Sequence, residues 1–243
     1  MNVTGQLATE LIHTADLPGR AAELFGSELL AAVKSRGRFN VALSGGSTPL
    51  PLYSRLAQLT ELPWERVHVF WGDERFVPHD HPDSNYRNAR IRFLDLVPVA
   101  AANIHPWPAP RSGLTLEQAA AEYAAQLVQE LGEVPVFDLM LLGLGADAHT
   151  ASLYPNDPAI LQNGLTATAH PPGIEHPRLT LTPRALSSSR TVAFLVSGEH
   201  KLEALQGTFA SPEPEPAFPA RYVTSLERRL VLTDLVPSTA ADD

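Results

Sequence analysis

The sequence contains no cysteine. This absence excludes disulfide bonds, thiolate metal sites and cysteine nucleophiles, and it fits a reducing compartment. The chain also lacks an uncharged apolar run long enough to cross a bilayer, and its N-terminus lacks a basic segment followed by an apolar stretch. We therefore expect a soluble, cytoplasmic protein with no membrane partner.

Basic residues are scarce relative to acidic ones. The chain has 18 lysines and arginines against 27 aspartates and glutamates, which gives a formal net charge of -9. Nucleic acids and anionic membranes require an extended basic surface, so neither is an expected partner. No feature of the sequence predicts an obligate protein partner. An anionic small molecule would have to be held by a local group of positive charges.

The length and the hydrophobic fraction suit one large α/β domain. With 243 residues, 44% of them hydrophobic, the chain can build one core, and we expect a single domain over residues 1–243. Apolar runs with strand character alternate with segments of helical periodicity, which predicts a mostly parallel sheet covered by helices on both faces. The predicted strands are 39–43, 67–71, 136–142, 178–181, 191–196 and 229–233, and the predicted helices are 18–35, 50–59, 84–94, 115–131 and 198–206.

Polar segments follow several of the predicted strands, and in a parallel sheet such segments meet in one crevice beyond the carboxyl ends. The first segment is Ser44-Gly45-Gly46-Ser47-Thr48. Its glycines let an anion approach backbone N–H groups at a helix start, which is typical of a phosphate site. The same residues also fit a tight strand-to-helix turn in which Ser47 or Thr48 caps the helix.

The second segment, GDERFVPHDHPDSNYRN, is dense in charged side chains. Arg75 can bind a phosphate or carboxylate through its planar guanidinium, and Asp73 can orient a sugar hydroxyl or a base. Histidines and aspartates this close together can also bind a metal, but their spacing matches no closed zinc or calcium pattern, so we predict no metal site. We expect His79 and His81 to lie in a solvated turn.

The third segment, GLGADAHTASLYP, places Asp147 two residues before His149. An imidazole titrates near neutral pH, so a histidine beside an acid at a strand end suits a general base, and a histidine that only fills a gap is the alternative. Lys201 opens a predicted helix, where a lysine is unfavourable unless an anion shares the site. Arg178 begins a strand and fits either the crevice or a plain edge position.

Together these segments resemble the 6-phosphogluconolactonase family. The resemblance covers about residues 39–234 and implies hydrolysis of 6-phospho-D-glucono-1,5-lactone to 6-phosphogluconate, the second step of the oxidative pentose phosphate pathway, with no metal or organic cofactor. It also implies a three-layer αβα fold shared with glucosamine-6-phosphate deaminase. The matching stretches are ALSGGSTP (42–49), WGDERFVP (71–78), SNYRNAR (84–90), FDLMLLGLGADAHTASLYP (137–155), RLTLTP (178–183) and VSGEHK (196–201).

The resemblance also implies roles for individual residues. His149 would be the general base that activates water, Asp147 or Asp73 would orient this histidine or the sugar hydroxyls, and Arg75 would stabilise the oxyanion. The substrate phosphate would be bound by a larger set, which consists of Ser44, Gly45, Gly46, Ser47, Thr48, Lys201 and one or both of Arg75 and Arg178.

One residue departs from the family pattern. The family usually has Asp-Gly-His-Thr where this chain has Ala148 between Asp147 and His149. If the backbone at this position has a positive φ, the alanine strains it by roughly 1 kcal/mol and can displace His149. In ordinary helical or bridge geometry the substitution is harmless.

Two other functions are open to such a chain. Glucosamine-6-phosphate deaminases resemble it at the histidine segment, but they carry a glutamate five residues after that histidine, where this chain has Tyr154. A sugar-phosphate sensor of the kind found in transcription regulators would need a DNA-binding helix-turn-helix. We expect none, because the first predicted helix starts early and the chain is acidic throughout.

Overall fold

The computed structural model describes residues 8–171 and 173–236. These residues form nine strands, which are β1 (Thr9–His13), β2 (Phe39–Leu43), β3 (Val67–Trp71), β4 (Asp73–Arg75), β5 (Phe137–Gly143), β6 (Thr166–Ala169), β7 (Arg178–Leu181), β8 (Ser189–Val196) and β9 (Arg228–Thr233). Six strands make a central sheet in the order β1-β9-β8-β5-β2-β3, and all neighbouring pairs in it are parallel. The prediction of a mostly parallel sheet is confirmed.

Helices surround the central sheet. They are α1 (Leu17–Arg36), α2 (Leu50–Leu56), α3 (Asn85–Arg92), α4 (Leu116–Leu131), α5 (Pro183–Ser187) and α6 (Leu202–Phe209). The helix α1 packs against β2, β5 and β9 and against α2, which contacts α3, whereas α4 packs against β6 and β7. The architecture is the expected three-layer αβα sandwich. Among the described residues, no helix combines the length and the apolar character that a membrane crossing requires.

Local capping signals explain why the two longest helices lie where the sequence predicts them. At the start of α1, Asp16 accepts the backbone N–H of Gly19 at 3.0 Å, and Gly37 ends the helix with a φ of 75°. At the start of α4, the hydroxyl of Thr115 accepts the N–H of Gln118 at 3.2 Å, and the Gln118 side chain accepts the N–H of Thr115 at 2.9 Å. Caps of this kind stabilise a helix by about 1 kcal/mol each.

A second, antiparallel sheet of three strands, in the order β4-β7-β6, corrects the sequence-based picture. The sequence pattern predicts 178–181 as one more strand of an α/β series, but β7 is the middle strand of this small sheet. The strands β4 and β6 are not predicted, because Asp-Glu-Arg and Thr-Ala-Thr-Ala contain no apolar run. Their hydrogen bonds to β7 make them strands.

Other differences lie at the ends of the pattern. The edge strand β1 and the five-residue helix α5 are not predicted, since β1 exposes much of its surface and α5 is too short to show periodicity. The predicted helix 50–59 ends at Leu56. The predicted helix 198–206 begins as a 3-10 turn, Glu199–Lys201, and α6 continues it to Phe209.

Buried aromatic side chains fix the layer of helices beside β2. Phe25 of α1 lies 5.8 Å from Trp64 between ring centroids, and Trp64 lies 5.2 Å from Phe93. All three rings are fully buried. Truncation of one such ring to alanine typically costs about 3–5 kcal/mol, so this cluster holds α1 against the sheet.

Parallel pairing brings the carboxyl ends of four strands to one edge of the central sheet. Leu43 is the register partner of Trp71, and Leu142 is the register partner of Phe194. The segments that follow β2, β3, β5 and β8 therefore leave the sheet side by side, and they build the site described below.

His68 on the edge strand β3 supplies a test of how the fold responds to acid. Burial, together with the charge of Arg38 and the neighbouring His105, lowers the pKa of His68 from 6.5 to about 4. Because the unfolded chain binds this proton at higher pH than the folded chain, the contribution of neutral His68 to stability is lost as the pH falls from 6.5 to 4. We expect His68→Gln to make the decline in unfolding free energy over this range shallower than in wild type.

Urea unfolding at the two ends of this pH range measures the effect. His13, which is exposed at the end of β1, gives the control variant His13→Gln, whose decline should match that of wild type. Equal declines for wild type and His68→Gln would contradict the assignment.

Candidate active site

A cleft of about 310 Å³ lies at the carboxyl edge of the central sheet. Ten of the eleven residues predicted for the site line this cleft, and the eleventh, Asp147, contacts one of them. The lining residues are Ser44, Gly45, Gly46, Ser47, Thr48, Asp73, Arg75, Gly143, Leu144, Gly145, His149, Ala151, Tyr154, Arg178 and Lys201. Two larger clefts, of about 530 and 550 Å³, border α4 and are lined by none of the predicted site residues. We therefore place the candidate site in the cleft at the carboxyl edge of the central sheet.

The turn Ser44–Thr48 forms one wall of the cleft. Gly46 has a φ of 85°, a left-handed conformation that favours glycine. Gly45 leaves room for Asn85, whose Oδ1 lies 1.9 Å from the position that a Cβ on Gly45 would take. Neither Ser47 nor Thr48 caps α2, because the N-cap is Pro49 and no side chain bonds there. The helix-cap explanation of the turn is therefore wrong.

Asp147 and His149 form a hydrogen-bonded pair in the loop after β5. One oxygen of Asp147 lies 2.5 Å from Nδ1 of His149 and accepts the backbone N–H of the same residue at 3.1 Å. Burial alone would raise the pKa of Asp147, but the hydrogen bond and charge of His149 outweigh it and lower that pKa below its usual value. The carboxylate thus holds the proton of the imidazole on Nδ1 and leaves the Nε2 lone pair for proton transfer.

The imidazole of His149 has close neighbours in Tyr154 and Gly145. The ring of Tyr154 lies against the imidazole with 4.9 Å between centroids and 30° between planes. A Cβ on Gly145 would lie 2.1 Å from Nδ1 of His149 and 2.5 Å from Oδ1 of Asp147. Glycine at 145 is therefore required for the pair to occupy this position.

Ala148 has a φ of 67°, so the positive-φ alternative is the correct one. A left-handed conformation costs an alanine about 1–2 kcal/mol relative to the right-handed region. The strain does not displace His149, which keeps its bond to Asp147. The departure from the family pattern therefore lowers the stability of the loop and leaves the histidine pair in place.

Asp73 is buried at the floor of the cleft. It accepts a hydrogen bond from the hydroxyl of Ser152 at 2.7 Å, and its backbone carbonyl accepts one from the side chain of Asn85 at 3.0 Å. Asp147, and not Asp73, contacts His149. Asp147 is therefore the carboxylate that orients His149, whereas Asp73 lines the cleft.

Three cations line the cleft. Arg75 and Arg178 are register partners across β4 and β7, and their guanidinium Nη1 atoms donate to the carbonyls of Asp83 at 2.6 Å and His176 at 2.7 Å. Arg178 is therefore in the middle of a sheet and in the crevice, not at a plain edge. Lys201 reaches across to the hydroxyl of Thr48 at 3.4 Å, and burial lowers the pKa of its ammonium group.

Sequence reasoning missed the supporting role of Glu74. This buried carboxylate accepts backbone N–H groups of Arg75, Asn85 and Tyr86 and the hydroxyl of Ser84. Burial raises the pKa of Glu74 to about 7, although these backbone N–H groups oppose the shift. The sequence does contain a signal for this contact. Ser84 is a typical helix cap, and an acidic side chain such as that of Glu74 is favourable beside the N-terminus of a helix.

The prediction for His79 is confirmed in part, because this histidine lies in a turn but is not fully solvated. His79 is half-buried, its Nε2 lies 2.8 Å from the carbonyl oxygen of Trp107, and its ring packs edge-on against Tyr86. The sequence near His79 is polar, but the contact with Trp107 comes from a distant segment. His81 is also half-buried and lies beside His176, with 5.1 Å between ring centroids.

Comparison with known proteins places this arrangement in a family. A family model described as "Glucosamine-6-phosphate isomerases/6-phosphogluconolactonase" matches residues 13–232. The chain belongs to this family. The 6-phosphogluconolactonase of Synechocystis is 46% identical to it over 219 residues, which cover 88% of this chain and 89% of the relative.

Solved structures agree with the assignment. The crystal structure of 6-phosphogluconolactonase from Thermotoga maritima matches with a TM-score of 0.80 and 29% identity, and the match covers 93% of this chain and 98% of that one. A monomeric glucosamine-6-phosphate deaminase matches with a TM-score of 0.77 and 20% identity, covering 93% and 97% of the two chains. The latter similarity shows a shared fold alone.

The steric requirement at Gly145 gives a test of the Asp147–His149 pair. We expect Gly145→Ala to push the two side chains apart and to shift the NMR resonances of the His149 imidazole nitrogens, because the added methyl group would occupy their space. Gly143→Ala at the end of β5 is the control, since a Cβ there meets no atom within 4 Å. Unchanged His149 resonances in a folded Gly145→Ala protein would contradict the packing described here.

Proposed function

We propose that this protein hydrolyses 6-phospho-D-glucono-1,5-lactone to 6-phospho-D-gluconate, the second step of the oxidative pentose phosphate pathway. Relatives from several organisms carry the name 6-phosphogluconolactonase, among them the one from Synechocystis. The observation that carries the proposal is the Asp147–His149 pair, which opens into the same cleft as Arg75, Arg178 and Lys201. A base beside a group of cations suits a phosphorylated ester-type substrate.

His149 acts as the general base in the proposed reaction. Its Nε2 takes a proton from water as the water oxygen attacks the lactone carbonyl carbon, C1, and a tetrahedral intermediate forms. The bond from C1 to the ring oxygen then breaks, and the imidazolium returns its proton to that oxygen, which becomes the hydroxyl on C5. Asp147 stabilises the transient imidazolium charge. The step needs no covalent intermediate and no metal ion.

The cations divide two tasks in this proposal. Arg75 faces the reacting carbonyl and stabilises the negative charge that develops on its oxygen. Lys201, Arg178 and the turn Ser44–Thr48 bind the phosphate. Support for this division comes from the contact between Lys201 and Thr48, which joins the ammonium group to the turn. Burial lowers the pKa of Lys201, and a bound phosphate would oppose this shift by favouring the charged ammonium form.

Binding the phosphate at a distance from C1 serves catalysis. Interactions with a non-reacting part of the substrate position the reacting carbon against the water molecule, and that positioning lowers the barrier. Asp73 is buried and held by Ser152, so it offers a fixed acceptor for a sugar hydroxyl. The chain would thus fix both ends of the substrate.

The role of His149 is tested by His149→Ala. Loss of a general base typically lowers turnover by about 10²–10⁴-fold, so we expect the variant to hydrolyse freshly generated lactone little faster than an enzyme-free blank. His13→Gln, a change of an exposed histidine that does not line the cleft, is the control and should keep the wild-type rate. Near-normal hydrolysis by a folded His149→Ala protein would overturn the assignment and make Asp73 the first alternative base.

The role of Lys201 is tested by Lys201→Met with two substrates. A hydrogen bond to a charged group contributes about 1.5–3 kcal/mol, so kcat/KM for the phosphorylated lactone should fall roughly 10- to 100-fold. The rate with unphosphorylated D-glucono-1,5-lactone should change little, because that substrate has no phosphate for Lys201 to bind. An equal loss with both substrates would assign Lys201 a structural role and not phosphate binding.

A further inference from the structure

We propose that His81, Asp83 and His176 form a binding site for a divalent transition metal, of which Zn²⁺ is the best-fitting example. The inference rests on residues outside the proposed chemistry and does not depend on the proposed function. His81 and Asp83 come from the loop after β4, and His176 comes from the segment before β7.

The ligand atoms already stand close to the spacing that zinc requires. Nε2 of His176 lies 3.2 Å from Oδ2 of Asp83, and Nδ1 of His81 lies 3.9 Å from the same oxygen. All three ligand atoms lie within 4.8 Å of one another. Tetrahedral zinc with bonds of about 2.0–2.1 Å holds its ligand atoms roughly 3.3 Å apart, so a small closure of the histidines brings them into position. Nδ1 of His81 would exchange its present contact with the Asp83 N–H, at 3.2 Å, for the metal.

The type of ligand selects the metal. Two imidazoles and one carboxylate suit zinc, cobalt and nickel better than calcium or magnesium, which prefer sites made of oxygen atoms. Three protein ligands leave a fourth position for water. The side chains of His81 and Asp83 are 36% and 54% exposed, so a metal can enter from solvent, whereas His176, at 19%, is more firmly held.

The surrounding backbone is fixed by the arginines of the cleft. Arg75 donates to the carbonyl of Asp83, and Arg178 donates to the carbonyl of His176. These two bonds hold two of the three ligand residues in place before any metal arrives, which lowers the entropy cost of binding. The guanidinium charges also oppose a cation, so we expect weaker binding than in a closed four-ligand zinc site.

A second group of potential ligands, His68, His105 and Glu130, is less suitable. Nδ1 of His68 lies 3.4 Å from Nε2 of His105, but the same Nε2 is 4.0 Å from the Glu130 carboxylate. Burial lowers the pKa of both histidines, and the guanidinium charge of Arg38 adds to this shift and would repel a metal. This group serves as the comparison in the test.

Isothermal titration of the EDTA-treated, dialysed full chain with Zn²⁺ tests the proposal. We expect one saturable site in wild type and an association constant lowered at least about tenfold in His176→Gln and in Asp83→Asn, because each change removes a ligand. Asp83→Asn keeps the backbone carbonyl that binds Arg75. His68→Gln is the matched control and should bind Zn²⁺ as wild type does.

NMR provides a second measurement that does not depend on heat signals. Substoichiometric Zn²⁺ should shift the imidazole resonances of His81 and His176 and leave those of His68 unchanged. Three results would overturn the proposal: no saturable binding in wild type, binding unaffected by His176→Gln and Asp83→Asn, or binding lost in His68→Gln, which would move the site to the second group.

Discussion

The parallel register between β2, β3 and β5 is the constraint on which the candidate site depends. Val41 is the partner of Val69 on one side and of Leu139 on the other, so β2 and β3 end at the same level and β5 ends two residues further along. Each strand must bury apolar side chains on both faces, and a slip by one residue would exchange those faces. Hydrophobic burial in the sheet therefore fixes where the polar loops begin.

The loops at this edge accept local strain and close packing. Ala148 adopts a left-handed conformation that costs an alanine about 1–2 kcal/mol, and Gly145 and Gly45 are the residues that allow His149 and Asn85 their positions. The chain carries a net charge of -9 and still lines this cleft with three cations. The positive charge that attracts an anion is thus confined to the cleft. The net negative charge of the chain disfavours the binding of larger polyanions.

The sequence predicts those parts of the structure that local patterns encode. Apolar runs such as 136–142, which only Asp138 interrupts, mark buried parallel strands, and caps such as Asp16 mark helix starts, so both are visible without a structure. The strands β4 and β6 cannot be predicted from the sequence, because both are polar segments. They form strands only through their hydrogen bonds to β7. The contact of His79 with Trp107 also depends on distant residues, and so does the approach of His176 to Asp83, which lies 93 positions away.

The prediction that these residues share one cleft came from considering several loops together. The spacing of Asp147 and His149 alone fits a structural histidine as well as a general base. The same pair beside Arg75 and Lys201 favours the general base. The resemblance to a known family supplied the substrate. The sequence pattern fits Asp147 and Asp73 equally well as the partner of His149. Only the structure shows that Asp147 contacts the histidine and that Asp73 instead accepts a hydrogen bond from Ser152.

The most direct test of the account is the initial rate of hydrolysis of freshly generated 6-phospho-D-glucono-1,5-lactone by the wild-type protein at mildly acidic pH, where the spontaneous reaction is slow. We expect a rate that is proportional to protein concentration and far above an enzyme-free blank, with no turnover of glucosamine 6-phosphate. A rate equal to the blank, from protein that is folded and binds 6-phosphogluconate, would contradict catalysis and leave a sugar-phosphate binding protein.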